Sequence, residues 1–486
     1  MKKNWRTENH NNRVFWTAAF LILVFGVYFA WACTQRQNFS ADENMRYDIV
    51  QYIYNHGSLP HGGDPEIRNE DWGISYAFNP ILSYMGSALL MKIASFFTDN
   101  GQILLIAARM MNVILGVGTA WFILLIARKV FGRLEGIMFL FLCTFLPGAA
   151  VLFTYINCDA LALFSSAVII YVWLLSMEQG WTYKNCIFLG TGIAFNALSY
   201  YNAYGYALCS ILFFSISILL FGDKKWDFKE LIKKGLVVTL VVALLAGWWF
   251  VRNYLIYDGD FLGRTTAHAY AVKYARPDFN PETALTFQEN PQTSVLSMMF
   301  FKASWMKDNW LMTVVYSFIG TFGYNKIYLS QMIYTPYILF LLLGMGAVLL
   351  WGRDFFYLRR KKISVSKEIV PGEEITDIVV RTKGWSQKAV FHLSMLLALI
   401  IPNALNVYYS YTSDFQPQGR YSMPMLIPLM YFITMGYQRL SERFAKLKKF
   451  SRLFYILIAV FSFLLAVFVW VRILYPMYLQ DYHGLH

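Results

Sequence analysis

Apolar runs of about 18 to 25 residues recur along this chain, and each is long enough to cross a hydrocarbon core as a helix. Inside that core no water satisfies backbone N–H and C=O groups, so such runs fold as helices that bond internally. With 57% hydrophobic and 18% aromatic residues over 486 positions, a soluble globular domain is excluded. The fold expected is an all-α integral membrane protein.

Charge then orients the spans. The formal net charge of +13 would suit a nucleic-acid binder, but the basic residues cluster in short loops between apolar runs. That is the positive-inside pattern of a bacterial-type cytoplasmic (inner) membrane protein, and no nucleic-acid partner is expected. The run Val14 to Cys33 follows Lys2, Lys3, Arg6 and Arg13. It is too long for a signal-peptide core and no small-residue cleavage site follows, so it reads as a retained span. With Met1–Arg13, Arg128–Arg133, Asp223–Lys234, Arg353–Lys388 and Arg439–Arg452 cytoplasmic, spans fall at 14–33, 107–127, 134–153, 160–177, 186–200, 204–221, 235–251, 327–350, 389–408, 421–437 and 453–474. That is about eleven transmembrane helices, and 28 of the 42 basic residues lie on the cytoplasmic side once Lys184 is included. The expected organisation is a cytoplasmic N-terminus (1–13), a polytopic membrane domain (14–474) and an outer tail (475–486).

The run Asn79–Phe97 is nearly long enough to cross. If it did, every later basic loop would change sides, against the charge rule; it also opens on Asn79-Pro80 and carries Lys92. It is therefore read as an interfacial or re-entrant helix on the outer face. Two long outer loops result, 34–105 and 252–326, and within the second an amphipathic interfacial helix is expected over Ser297–Trp310. The cytoplasmic insertion 353–388, with Lys361-Lys362, Pro371-Gly372-Glu373-Glu374 and a β-branched stretch, reads as a small hairpin whose basic end touches anionic lipid. Cysteines 33, 143, 158, 186 and 209 show neither zinc spacing nor a disulfide framework. A Cys33–Cys158 bridge and inert membrane thiols both fit.

In so apolar a chain the cluster Ser40-Ala41-Asp42-Glu43-Asn44-Met45-Arg46 stands out. Ser40 and Glu43 have capping-box spacing, so a helix is expected to start here and run toward Tyr54. Its acids either complement the helix dipole or do chemistry, where two adjacent carboxylates could raise one pKa enough to accept a proton. Asp42 and Arg46 share a helix face. Asp159, in Tyr155-Ile156-Asn157-Cys158-Asp159, sits where one apolar run ends and the next begins, as a cap or a working acid. Gln418-Gly419-Arg420-Tyr421 places Arg420 at lipid-phosphate depth, where a guanidinium either grips phosphate oxygens or snorkels to headgroups. Arg109 and Arg252 lie at similar depth, the latter beside the Trp248-Trp249 pair of an aromatic belt.

Taken in order and on one side of the membrane, these motifs resemble the membrane glycosyltransferases of the GT-C superfamily, which include protein O-mannosyltransferases and bacterial aminoarabinose transferases. The resemblance covers roughly residues 14 to 440. It is closest to an uncharacterised bacterial branch through Ala41-Asp42-Glu43, Asn157-Cys158-Asp159-Ala160-Leu161, Trp248-Trp249-Phe250-Val251-Arg252-Asn253-Tyr254 and Gln418-Gly419-Arg420-Tyr421. Where that branch has His three residues after the Asp-Glu pair, this chain has Asn44-Met45-Arg46, so Arg46 is expected to orient or bind phosphate instead.

The resemblance implies a GT-C-like bundle with outer juxtamembrane helices and an active site facing outside. It implies sugar transfer from a polyprenyl-phosphate-linked donor to a cell-envelope acceptor hydroxyl (glycan, lipid or protein), with inversion. Asp42 would be the base, Glu43 and Asp159 supporting carboxylates, and Arg420, Gln418, Tyr421, Arg46, Arg109 and Arg252 the donor-phosphate and substrate contacts. A divalent cation, Mg²⁺ or Mn²⁺, could join Asp42, Glu43 and Asp159 if they converge. Other classes with similar outer loops are a polysaccharide polymerase or ligase acting on lipid-diphosphate glycans, and a lipid-glycan transporter or flippase.

Overall fold

A computed structural model describes residues 10–289, 293–357, 359–368 and 376–484. Lys2, Lys3, Arg6 and the stretch Pro371-Gly372-Glu373-Glu374 lie outside the described residues. In chain order the helices are α1 (His10–Thr34), α2 (Glu43–His56), α3 (Leu82–Ala94), α4 (Gly101–Val130), α5 (Arg133–Thr144) and α6 (Pro147–Ala150). Then come α7 (Asp159–Gln179), α8 (Tyr183–Ala197), α9 (Gly205–Phe221), α10 (Phe228–Ile256), α11 (Arg264–Tyr274) and α12 (Val295–Met299). The last six are α13 (Trp310–Gly320), α14 (Gln331–Trp351), α15 (Gln387–Thr412), α16 (Leu426–Arg443), α17 (Ala445–Val469) and α18 (Tyr475–Gly484).

Helices begin where a short polar side chain satisfies an orphan amide. The Asn100 side chain accepts from the amides of Gln102 (2.9 Å) and Ile103 (3.2 Å) to start α4, and Arg128 and Lys129 close it at the negative end of the dipole. Asn157 Oδ1 accepts from Ala160 N at 3.0 Å in the first turn of α7. Pro147 has no N–H to continue α5, and the chain bends by 55° into α6.

Among the described residues, eight helical stretches are long and apolar enough to cross a bilayer: α1, α4, α7, Tyr201–Phe221, α10, α14, α15 and Leu447–Leu479. Taking the bent α5–α6 pair as one span makes nine. The expected spans 186–200 and 421–437 are helical, as α8 and α16. However, α8 has 15 residues, and α16 carries Arg439, Glu442 and Arg443 within its 18, so the described residues do not establish eleven spans.

The bundle has two distinct ends. Arg109, near the start of α4, donates to the carbonyls of Ala32 and Gln35 at the end of α1, so the chain between them leaves and returns at one end. Within that excursion α3 has 13 residues, about 20 Å at 1.5 Å each, short of a core about 30 Å thick. The run 79–97 therefore does not cross. The starts of α7 and of the 3₁₀ turn Gly419–Met425 lie at this same end, beside the chain that follows α1. Arg13, Arg128, Glu178, Lys388 and Arg439 meet at the other.

Helix α7 is the axis, with 78% of its most apolar stretch buried, whereas α10 buries 11% and faces outward. Between α14 and α16 the backbones touch: a β-carbon on Gly436 would overlap the Gly344 carbonyl. Such small-residue contacts matter where lipid gives helices no hydrophobic reason to associate. Two hairpins complete the fold. Strands β1 (Thr321–Phe322) and β2 (Ile327–Tyr328) pair antiparallel, as do β3 (Arg359–Glu368) and β4 (Thr376–Trp385). The second is the hairpin expected within 353–388. The helix expected over Ser297–Trp310 is absent among the described residues: α12 stops at Met299 and α13 begins at Trp310.

Candidate active site

The chain leaving α1 makes two left-handed residues, Asn38 (φ 55°) and Asp42 (φ 64°), residue types that tolerate this region better than most. Helix α2 starts at Glu43, but not through the capping box its sequence suggests. The Asp42 side chain caps nothing, and the Ser40 hydroxyl accepts from Gln35 Nε2 at 2.6 Å. Glu43 Oε2 accepts from Asn38 N at 3.0 Å, while Asn38 Oδ1 accepts from Asn44 N at 3.3 Å. The left-handed turn at Asp42 sends the two adjacent carboxylates to different partners.

Glu43 is fully buried and pairs with Arg109 through two bonds of 2.8 Å, Nε to Oε1 and Nη2 to Oε2. With the Asn38 amide, Ile156 N at 3.3 Å brings the hydrogen bonds onto this carboxylate to four. Arg109 spends its remaining N–H groups on the carbonyls of Ala32 (2.8 Å), Gln35 (2.6 Å) and Arg36 (3.2 Å). In this arrangement Glu43 is enclosed by Arg109 and backbone amides, and every N–H of the Arg109 guanidinium is engaged within the protein. Together they tie the first loop to α4 and to the start of α7.

Asp42 points elsewhere. Its Oδ2 accepts from Arg420 Nη2 at 2.7 Å and from the Tyr76 hydroxyl at 3.0 Å, with Arg46 Nη2 at 3.6 Å. Burial pushes this carboxyl up, but Arg420 and Arg46, with the hydrogen bonds from Arg420 and Tyr76, outweigh it and hold it at about 2. Arg420 Nη2 also donates to the Tyr421 hydroxyl at 3.0 Å, which passes the chain to Gln416 Oε1 at 3.3 Å. Gln418 Nε2 donates to the same Gln416 oxygen at 2.7 Å. The guanidinium of Arg46 lies over the Tyr76 ring at 5.0 Å and near that of Tyr155 at 5.9 Å. The Nε atoms of both Arg46 and Arg420 are buried without a hydrogen-bond partner among the described residues.

Asp159, at the first position of α7, is 5% exposed, and its charge is felt by Arg420, Arg46 and Asp42 together. The structure thus gathers Asp42, Asp159, Arg46, Arg420, Tyr421 and Gln418 at one end of the bundle. Arg252 stays apart: it donates to Pro60 O (2.7 Å) and Asn253 Oδ1 (3.4 Å) and lies over Trp249 at 5.0 Å.

A cavity of about 310 Å³ abuts the cluster, lined by Ala41, Tyr155, Trp305, Tyr324, Gln418 and Arg420 among others. Asp42 does not line it directly. It sits behind Ala41 and Arg420 with 23% of its side chain exposed. Two residues in this shell carried no local signal. Tyr76 donates to Asp42, and the Tyr324 hydroxyl accepts from Asp42 N at 3.1 Å while donating to Asn38 Oδ1 at 2.8 Å. Tyr324 is itself in a left-handed conformation (φ 57°) at the β1–β2 turn, an unfavourable place for a bulky residue that its reach across 282 positions accounts for. Cys33 and Cys158 are free thiols, so no bridge supports this end.

The carboxylates do not fit a divalent cation. Both Glu43 oxygens face Arg109, Asp42 faces two guanidinium groups, and no group of three or more His, Cys, Asp or Glu suited to a metal occurs among the described residues.

No family model matches the chain, and no curated protein matches its sequence. Solved structures do. The oligosaccharyltransferase of Archaeoglobus fulgidus in its apo form aligns at TM-score 0.52 and 14% identity, over 98% of this chain and 56% of its own. A second structure of an A. fulgidus oligosaccharyltransferase (AglB), in complex with an inhibitory peptide and a dolichol-phosphate, aligns at 0.51 and 12%, over 96% of this chain and 56% of its own. ArnT from Cupriavidus metallidurans aligns at 0.50 and 13%, over 96% of this chain and 74% of its own. The chain spans little more than half the length of the archaeal enzymes. It shares their membrane fold over nearly its whole length and is an all-α, multi-pass membrane protein.

Proposed function

We propose that this protein is a glycosyltransferase that moves a sugar from a polyprenyl-phosphate-linked donor to an acceptor hydroxyl of the cell envelope, at the outer face of the inner membrane. The observation that carries the reading is Arg420, bonded to Asp42 on one side and holding a buried, unpartnered Nε on the other. A lipid phosphate entering the adjoining cavity would take that donor and compete with Asp42 for the rest of the guanidinium. A lipid phosphate is also what one structural neighbour holds.

In the structure Asp42 is ionised at any physiological pH and too weakly basic to accept a proton readily. As phosphate draws Arg420 away, Asp42 loses the partner that depresses it most and becomes a stronger base. It then takes the acceptor's proton while the acceptor oxygen bonds to the anomeric carbon from the side opposite the phosphate. The anomeric C–O bond breaks, polyprenyl phosphate leaves with the electron pair, and the configuration inverts. Arg420, with Arg46 behind it, stabilises the negative charge that grows on the leaving phosphate. Asp159 balances the two guanidinium groups and orients the acceptor.

The test is release of polyprenyl phosphate from a panel of labelled polyprenyl-phosphate sugars by purified protein in bilayer discs. Wild type should release it from at least one donor. Asp42→Asn, folded and expressed, should lose on the order of a hundred- to ten-thousandfold in rate, the contribution typical of a general base. Transfer by Asp42→Asn at the wild-type rate would overturn the assignment of the base.

A further inference from the structure

A second cavity, of about 600 Å³, lies at the opposite end of the bundle. Its walls come from helices α1, α4, α7, α15 and α16 and carry five cations: Arg13 of α1, Arg128 and Lys129 of α4, Lys388 of α15 and Arg439 of α16. Two carboxylates share the lining, Glu178 and Glu442, and each is already tied to one of those cations. Lys129 Nζ meets Glu178 at 2.5 Å, and Arg439 Nη1 meets Glu442 at 3.3 Å. Arg439 also lies over the Phe355 ring at 4.6 Å, and Lys129 near the ring of Tyr171 at 5.7 Å. Lys129 and Arg439 are thereby held in place, Arg128 donates to the Thr17 hydroxyl at 2.7 Å, and by formal count the described lining carries five cations and two carboxylates. Tyr431, another wall residue, is fixed from behind by His392 Nε2 at 2.8 Å.

Depth identifies the environment. Arg128 follows Arg109 by nineteen positions on α4, and Glu178 follows Asp159 by nineteen on α7. At 1.5 Å per residue both separations are about 28 Å, close to a hydrocarbon core. If the candidate active site sits at one headgroup layer, this cavity sits at the other. The chain leaves the rim at Phe355 for the β3–β4 hairpin and returns to it at Lys388. Several cations at headgroup depth attract anionic lipid. Here they line a concavity large enough for a headgroup, and a flat basic belt would offer no such enclosure.

We infer that the cavity between α1, α4, α15 and α16 is a binding site for an anionic phosphate, supplied by a phospholipid headgroup of the leaflet opposite the candidate active site. The inference is independent of what is transferred there.

The test titrates the purified full-length chain in detergent with short-chain phosphatidylglycerol, short-chain phosphatidylcholine and inorganic phosphate, read by intrinsic tryptophan fluorescence and thermal stability. Phosphatidylglycerol should bind at least tenfold more tightly than phosphatidylcholine. The double change Arg13→Gln with Arg439→Gln should weaken that binding at least tenfold, and Arg439→Lys should keep most of it. Arg13→Gln alone, at an exposed position, should weaken it severalfold without disturbing the fold. Inorganic phosphate that binds as tightly as the lipid, and is lost in the same variants, identifies a soluble phosphate ligand and overturns the lipid source. Equal affinity for both lipids with no phosphate binding, or wild-type affinity in the double variant, overturns the site.

Discussion

Arg420 Nη2 lies 2.7 Å from Asp42 Oδ2, joining residues 378 positions apart. The contact clamps the loop after α1 to the 3₁₀ turn that leads into α16. It also sets the charge state of the proposed base. Because Tyr76 and Arg46 hold the same carboxylate, Asp42 stays in place when Arg420 turns toward another anion.

Arg420 should therefore matter more to turnover than to folding. Arg420→Ala removes the donor nearest the leaving phosphate and should lower the rate by roughly a hundred- to a thousandfold. Arg420→Lys keeps the charge but not the planar fork that reaches Asp42 and Tyr421 together, so an intermediate loss is expected. Release of polyprenyl phosphate measures both. A rate for Arg420→Ala within twofold of wild type would remove Arg420 from the chemistry.

The depressed Asp42 pKa makes a pH prediction whose sign is fixed. The folded value of about 2 lies below the unfolded value of about 3.9, so its contribution is complete above pH 4 and is lost as pH falls toward 2. The difference corresponds to about 2–3 kcal/mol as an upper bound. In thermal melts from pH 6 to pH 2, wild type should lose stability below pH 4 more steeply than Asp42→Asn. Parallel curves would mean that the Asp42–Arg420 pair contributes nothing to the fold.

Glu43 should behave in the opposite way from its neighbour. Glu43→Gln leaves the Arg109 charge buried against three carbonyls without its counterion, a loss of about 3–5 kcal/mol. Poor recovery from the membrane and a lowered melting temperature are expected, and Glu43→Gln with Arg109→Met should regain part of it. If Glu43→Gln melted like wild type while losing turnover, the positioning role would be wrong and a direct catalytic one right.

The membrane architecture and the grouping of Asp42, Asp159 and Arg420 at one end were legible because apolar length and charge in loops are properties of single segments. Loop sides follow from parity once each span is recognised. The division of labour between Asp42 and Glu43 was not legible, because it depends on one left-handed residue and on Arg109, which approaches from another helix. Read locally, Ser40 and Glu43 spelled a capping box, but a donor from Gln35 took the serine. Tyr76 and Tyr324 were invisible for the same reason: in a chain with 33 tyrosines, nothing nearby marks the two that meet Asp42. The count of eleven spans stays unestablished at α8 and α16, helices shorter or more charged than the other bilayer-length helices.

Gly419 tests whether the placement of Arg420 matters beyond its presence. Its amide donates to Ser317 Oγ at 2.5 Å, and a β-carbon there would overlap the backbone of Phe318 on α13. The overlap is with backbone, so it cannot be relieved by turning a side chain. Gly419→Ala should push the 3₁₀ turn away from α13 and carry Arg420 with it. Displacements of about 1 Å in a positioned group cost on the order of a hundredfold in rate. The variant should thus lose turnover while Arg420 is still present, with a smaller loss of thermal stability. Ser317→Ala, which leaves the Gly419 amide unsatisfied but creates no overlap, should cost about 1–3 kcal/mol in stability and less in rate. Wild-type turnover in Gly419→Ala, measured on the same labelled donor, would show that the turn tolerates the shift and that Arg420 need not sit where it does.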